Sequence, residues 1–97
     1  MNILIGDIGN TVTKLCLVDN KSYKIKKIIY FDSYNILSKK KLSLNLKKII
    51  KSKKLNRIAL FSSVVTHYES VLKKFLKRFY KIKFVEIKEK KLLNQSK

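Results

Sequence analysis

The sequence contains no proline, no tryptophan, one cysteine and only two glycines in 97 residues. A lone thiol, Cys16, cannot close an internal disulfide, and no cysteine–histidine cluster offers a zinc site. No apolar run approaches the roughly eighteen residues of a membrane span. The chain opens "MNILIGD", without the basic region and cleavage site of a secretory signal, so the cytoplasm is the expected compartment. Acids are scarce as well: six stand against 24 basic residues, a net charge of +18. Such an excess suits nucleic acid or anionic lipid. Of the 24, however, 22 are lysine and only Arg57 and Arg78 are arginine, whereas base readers rely on arginine's planar fork. Lysine travels here with abundant isoleucine and asparagine, as an AT-biased coding sequence would produce. The charge is therefore read first as compositional drift, with a noncatalytic nucleic-acid-binding module using the lysine-rich surface as the alternative.

What is present describes one small domain over 1–97, with 45% apolar residues and enough chain for a single core. "NILIG" (2–6) is a short apolar run ended by turn chemistry and reads as a buried strand. "VTKLCLVD" (12–19) is a second strand, turned back by "DNKS" (19–22), and "YKIKKIIYF" (23–31) is a third near a sheet edge, where lysines discourage edge-to-edge pairing. Leu42, Leu46, Ile49 and Ile50 follow helical spacing and predict a helix over 42–54. "RIALFSSVV" (57–65) is a fourth, buried strand. Thr66 and Glu69 read as a capping box opening a helix that buries Tyr68, Val71, Leu72, Phe75, Leu76 and Phe79. "KIKFVEI" (81–87) is a fifth strand, and 88–97 reads as a linker or the start of a third helix. The order β-β-β-α-β-α-β predicts an α/β domain: an antiparallel meander, then right-handed crossovers that set the last two strands parallel to the first.

Both glycines fall in "IGDIGNTVTK" (5–14), around Asp7. As an ordinary hairpin, Gly9-Asn10 would supply positive φ. Asp7 needs more than that, because a carboxylate ending an apolar strand is costly without a cation or hydrogen-bond donors. Thr11, Thr13 and Lys14 bring hydroxyls and a positive charge to the same turn. These are the parts of a polyphosphate site: exposed amides and cationic or hydroxyl donors for phosphate oxygens, and a carboxylate for Mg²⁺. No G-x-x-x-x-G-K-[ST] loop occurs.

"DIGNTVTK" (Asp7, Ile8, Gly9, Asn10, Thr11, Val12, Thr13, Lys14) resembles the N-terminal phosphate motif of the type III pantothenate kinases, in the superfamily of acetate and sugar kinases, actin and the heat-shock chaperone ATPases. "SSVV" (Ser62–Val65) is similar to that family's Ser-Ser-Val-Val-Pro segment, with Thr66 standing where the family has proline. The element order fits the ribonuclease-H-like (actin-like ATPase) lobe with a mixed five-stranded sheet. The resemblance implies that Asp7 to Lys14 line the ATP phosphates, with Asp7 near the metal, and that Ser62 and Ser63 lie beside Asp7 at the cleft. It further implies ATP-dependent phosphorylation of pantothenate, a need for Mg²⁺ and a monovalent cation (K⁺ or NH₄⁺), and a homodimer.

The family's general base is the aspartate of a Gly-x-Asp-Arg motif, and a second Asp-x-Gly-Thr phosphate motif follows it; neither occurs in these 97 residues. No catalytic residue is therefore assigned, and the chain by itself is expected to be inactive. A ribonuclease-H-type nuclease would want several carboxylates around a first-strand aspartate, but the fourth strand ends in serines. His67 reads as a surface residue of the helix's first turn, and Cys16 as buried filler.

Overall fold

The computed structural model describes residues 1–50 and 55–87. Strand β1 (Asn2–Ile8) pairs antiparallel with β2 (Val12–Asp19), Asn2 opposite Asp19 and Ile8 opposite Thr13. The alternation carries β1 two residues beyond "NILIG", so Asp7 lies within the strand and the connection shrinks to Gly9–Thr11. Strand β3 (Ile25–Asp32) pairs antiparallel with β2 and begins later than Tyr23. The reason is the preceding turn. The Asp19 carboxylate accepts from the Ser22 hydroxyl at 2.8 Å and the Lys21 amide at 3.2 Å, and the Tyr23 amide donates to the Asp19 carbonyl at 2.8 Å. Tyr23 is held at φ 59°, outside strand geometry.

After β3 a 3₁₀ turn, Ser33–Leu37, leads into helix α1 (Lys39–Ile49). The helix starts three residues ahead of the predicted 42 because the Ser38 hydroxyl accepts from the Lys41 amide at 3.3 Å and caps it. The rest of the predicted helix, 51–54, lies outside the described residues, as does 88–97. Strand β4 (Ile58–Ser63), helix α2 (Thr66–Tyr80) and strand β5 (Lys83–Glu86) complete the order. The sheet runs β3-β2-β1-β4-β5, with β4 parallel to β1 and β5 parallel to β4, as the meander-then-crossover pattern predicts.

One face of the sheet carries the core. Leu4, Ile8, Leu15, Leu17, Phe31, Ala59, Phe61 and Phe84 alternate inward and meet Leu42, Leu46 and Ile49 of α1 and Leu72 and Leu76 of α2. The expected stripe of α2 holds except at its end, where Phe79 is 47% exposed. Phe79 points toward the start of α1, where Lys39 stands: its ammonium lies 5.0 Å from the ring centroid, and the Phe75 ring packs against Phe79, tilted by 45°, at 4.7 Å. The capping box does not form either. Ser63 Oγ accepts from the Val65 amide at 3.2 Å and donates to the Val65 carbonyl at 3.1 Å. That small turn makes Val65 the cap and Thr66 the first helical residue, with no side-chain cap.

The glycines answer a different need from the one a hairpin suggests. Neither has positive φ; among the described residues the left-handed positions are Tyr23 and Lys81. A Cβ at Gly6 would lie 2.2 Å from the Phe61 ring and 2.8 Å from Leu15. Phe61 cannot retreat, being fully buried and stacked on Phe84 at 4.4 Å. Gly6→Ala is expected to cost about 2–3 kcal/mol in urea unfolding, as overpacking of a rigid core does, with part of the loss recovered in Gly6→Ala/Phe61→Leu. Lys81 closes α2 at φ 56°. Lys81→Gly should raise stability by roughly 0.5–1 kcal/mol in the same assay, relief of the left-handed strain exceeding glycine's entropy cost.

Candidate functional site

Open α/β sheets present their ligand sites beyond the carboxyl ends of the strands. Here that edge is formed by the ends of β1, β4 and β5 together with the β1–β2 connection. Register sets the neighbours. Asp7 lies opposite Lys14 on β2 and opposite Ser62 on β4, and Lys14 in turn lies opposite Tyr30 on β3. Since side chains one row apart alternate between faces, Ser62, Asp7, Lys14 and Tyr30 form a row on the face away from the helices. Asp7 and Lys14 are exposed and Ser62 is buried.

The next row belongs to the other face. Ile8 and Thr13 are both fully buried there. Thr13 Oγ1 lies 2.7 Å from Ser33 Oγ, so its hydroxyl is engaged inside the fold. Ser63 also falls in this row, opposite Ile8, and its hydroxyl is engaged by Val65. The eight residues of "DIGNTVTK" are thus divided: Asp7, Asn10, Thr11, Val12 and Lys14 are exposed, Gly9 is half-buried at the turn, and Ile8 and Thr13 hold the motif from below. Of the two serines, Ser62 is brought beside Asp7 and Ser63 is not.

Two features escaped the sequence reading. Ser33 is buried directly under the turn, and the alternation Ile29, Phe31, Ser33 was the available signal, since it carries the inward face of β3 one step further. Glu69 and Glu86 are the other. The first turn of α2 and the end of β5 bring these carboxylates together beside Ser63, and burial first, then the charge of Glu86, push the Glu69 carboxyl above its usual range. His67 is exposed, as expected, and Cys16 is a buried free thiol. No group of three or more His, Cys, Asp or Glu gathers among the described residues, so the donor set at Asp7 is one carboxylate with a lysine and a serine on either side.

A three-stranded antiparallel meander extended by two parallel strands, with its polar turn at the carboxyl edge, is the α/β lobe of the actin-like ATPase class. Within that class the chain belongs to the type III pantothenate kinase family, whose model matches residues 3–95. Among its relatives, the type III pantothenate kinase of Pelagibacter ubique (strain HTCC1062) is 43% identical over 90 residues. The match takes in 90% of this chain and 34% of that relative's length.

The Glu69–Glu86 pair gives a pH signature. Because the folded state raises the Glu69 pKa above its unfolded value, ionising Glu69 costs stability at neutral pH, and that cost is relieved as the pH falls through the raised value. In Glu86→Gln, carboxyl-carbon NMR should show the Glu69 midpoint moving down toward the ordinary glutamate range. The variant should be more stable than wild type at pH 7, with the difference shrinking in acid.

Proposed function

We propose that these residues form the ATP-side lobe of a pantothenate kinase, which transfers the terminal phosphoryl group of ATP to pantothenate and yields 4'-phosphopantothenate, the first step of coenzyme A synthesis. Membership of the family supports the reaction. The observation that carries the assignment of the site is the placement of Asp7 at the carboxyl end of β1, between Lys14 and Ser62 and next to the exposed Asn10–Thr11 tip.

Phosphoryl transfer asks the protein mainly for positioning and charge stabilisation. The Asn10–Thr11 tip would present backbone amides and the Thr11 hydroxyl to phosphate oxygens, and Lys14 would add a cation one strand away. Asp7 is the metal-holding carboxylate in this reading. A single protein carboxylate suits Mg²⁺, which keeps several waters and takes phosphate oxygens for the rest. When bound, that ion would neutralise charge on the β- and γ-phosphoryl oxygens. Ile8 and Thr13 keep these groups in register from the core side. A monovalent cation (K⁺ or NH₄⁺), a homodimer and a cytoplasmic location belong to the same reading through the family. The chain spans a third of its relative, and the general-base motif is not among its 97 residues.

Calorimetric titration of the purified chain with Mg-ATP tests the reading. Asp7→Asn should weaken binding roughly tenfold or more, the loss of a charge-assisted contact of about 1.5–3 kcal/mol. Salt-dependent duplex binding that ignores Asp7, with no affinity for Mg-ATP, would favour the nucleic-acid module instead. Pantothenate-dependent ADP release with Mg²⁺ and potassium should be absent; turnover lost in Asp7→Asn would place the general base within these residues.

A further inference from the structure

Beneath the β1–β2 turn lies a buried hydroxyl pair that the motif itself does not reveal. Ser33 is fully buried at the start of the 3₁₀ turn after β3, 24 residues along the chain from Gly9. Its hydroxyl donates to the Gly9 carbonyl at 2.7 Å, and its backbone amide donates to the Thr11 carbonyl at 2.8 Å. A serine hydroxyl has one proton. With that proton on Gly9, the 2.7 Å contact between Ser33 Oγ and Thr13 Oγ1 requires Thr13 to be the donor. The direction of the chain is therefore Thr13 to Ser33 to Gly9, and the Thr13 proton is consumed inside the fold.

We infer that Ser33 is a positioning residue for the phosphate turn, oriented by Thr13, and that it sets which way the Gly9–Asn10 and Thr11–Val12 peptide units face. The inference rests on the reading of this turn as a phosphate site. In a closed two-residue hairpin the amide and carbonyl of Gly9 would both bond Val12. Here Gly9 N donates to Val12 O at 3.1 Å, while Gly9 O accepts from Ser33 instead. Carbonyl and amide of a trans peptide unit point in opposite directions. Drawing the Gly9 carbonyl inward therefore turns the Asn10 amide outward, toward the exposed side of the turn where a phosphate oxygen would lie. Thr11, its own carbonyl held by the Ser33 amide, is fixed on the other side of Asn10. Rigid presentation of the amide is what an anion site needs, since donors already aimed lose nothing to reorganisation on binding.

Three variants separate this role from mere packing. Ser33→Ala keeps the backbone bond to Thr11 and removes both hydroxyl bonds. Thr13→Val keeps the shape and removes one proton, and Thr13→Ser restores it. In the free 97-residue chain, Ser33→Ala should shift the amide resonances of Asn10 and Thr11 and speed exchange of the Gly9 amide, which is bonded to the Val12 carbonyl, about tenfold, the effect of an orphaned buried acceptor, with the amides of Leu4, Leu46 and Leu72 unmoved. Mg-ATP affinity should fall about tenfold in Ser33→Ala, by less in Thr13→Val, and recover in Thr13→Ser. Wild-type resonances at Asn10 and Thr11 together with wild-type exchange at Gly9 in Ser33→Ala would overturn the inference. If those amides respond but wild type itself binds no Mg-ATP, Ser33 still sets the turn and it is the kinase reading that fails. If they respond while Mg-ATP affinity is unchanged from a binding wild type, the positioning role in phosphate recognition is refuted.

Discussion

The ring of Phe61 occupies the space that a side chain at position 6 would fill, and the placement of the site depends on that contact. Because Gly6 has no Cβ, β4 can lie against β1 with a phenylalanine over the central strand, wedged between Leu15 on one side and Phe84 on the other. Parallel pairing in this register sets Phe61 opposite Gly6 and, one residue on, Ser62 opposite Asp7. A slip of β4 by one residue would turn Ser62 into the core and expose Phe61. The apolar packing on one face therefore determines the polar row on the other.

The same division runs through the motif. A phosphate site must hold anions near a carboxylate in a protein with little acid to spare, and its donors must not wander. Exposed Asp7 and Lys14 lie opposite each other across two strands, while the residues between them in sequence are anchored from beneath. Among the described residues, nine basic side chains lie on α1 and α2 rather than in this row. At the same edge, the repulsion between Glu69 and Glu86 marks where the carboxyl ends of β4 and β5 crowd like charges, beside the site but on the helix-bearing face.

Much of this was legible in the residues. The alternation of "VTKLCLVD" gave β2 with its observed bounds, and the succession of short strands then helices gave the antiparallel meander and the parallel setting of the last two strands. The candidate motif was legible as composition: a carboxylate, small residues, hydroxyls and a lysine. What stayed hidden were contacts between residues distant in sequence. The glycines suggested positive φ, and only the position of Phe61 shows that Gly6 is needed for space. Thr66 and Glu69 matched a capping box, but Ser63 had already claimed the turn. Phe79 had core spacing but, beside Phe75, meets the lysine-rich start of α1 and stays exposed. Ser33 was assigned no role, and it bonds the turn because β3 returns it beneath Gly9.

The placement of the nucleotide phosphates at Asp7 is open to one direct measurement. Mn²⁺ can replace Mg²⁺, and its unpaired electrons broaden nearby amide signals in proportion to proximity. In the isotope-labelled chain with ATP present, trace Mn²⁺ should broaden Asp7, Gly9, Asn10, Thr11, Lys14 and Ser62 first and leave the lysine-rich helices sharp. Broadening centred on Glu69 and Glu86, or spread without focus over the surface, would contradict a phosphate site at the end of β1.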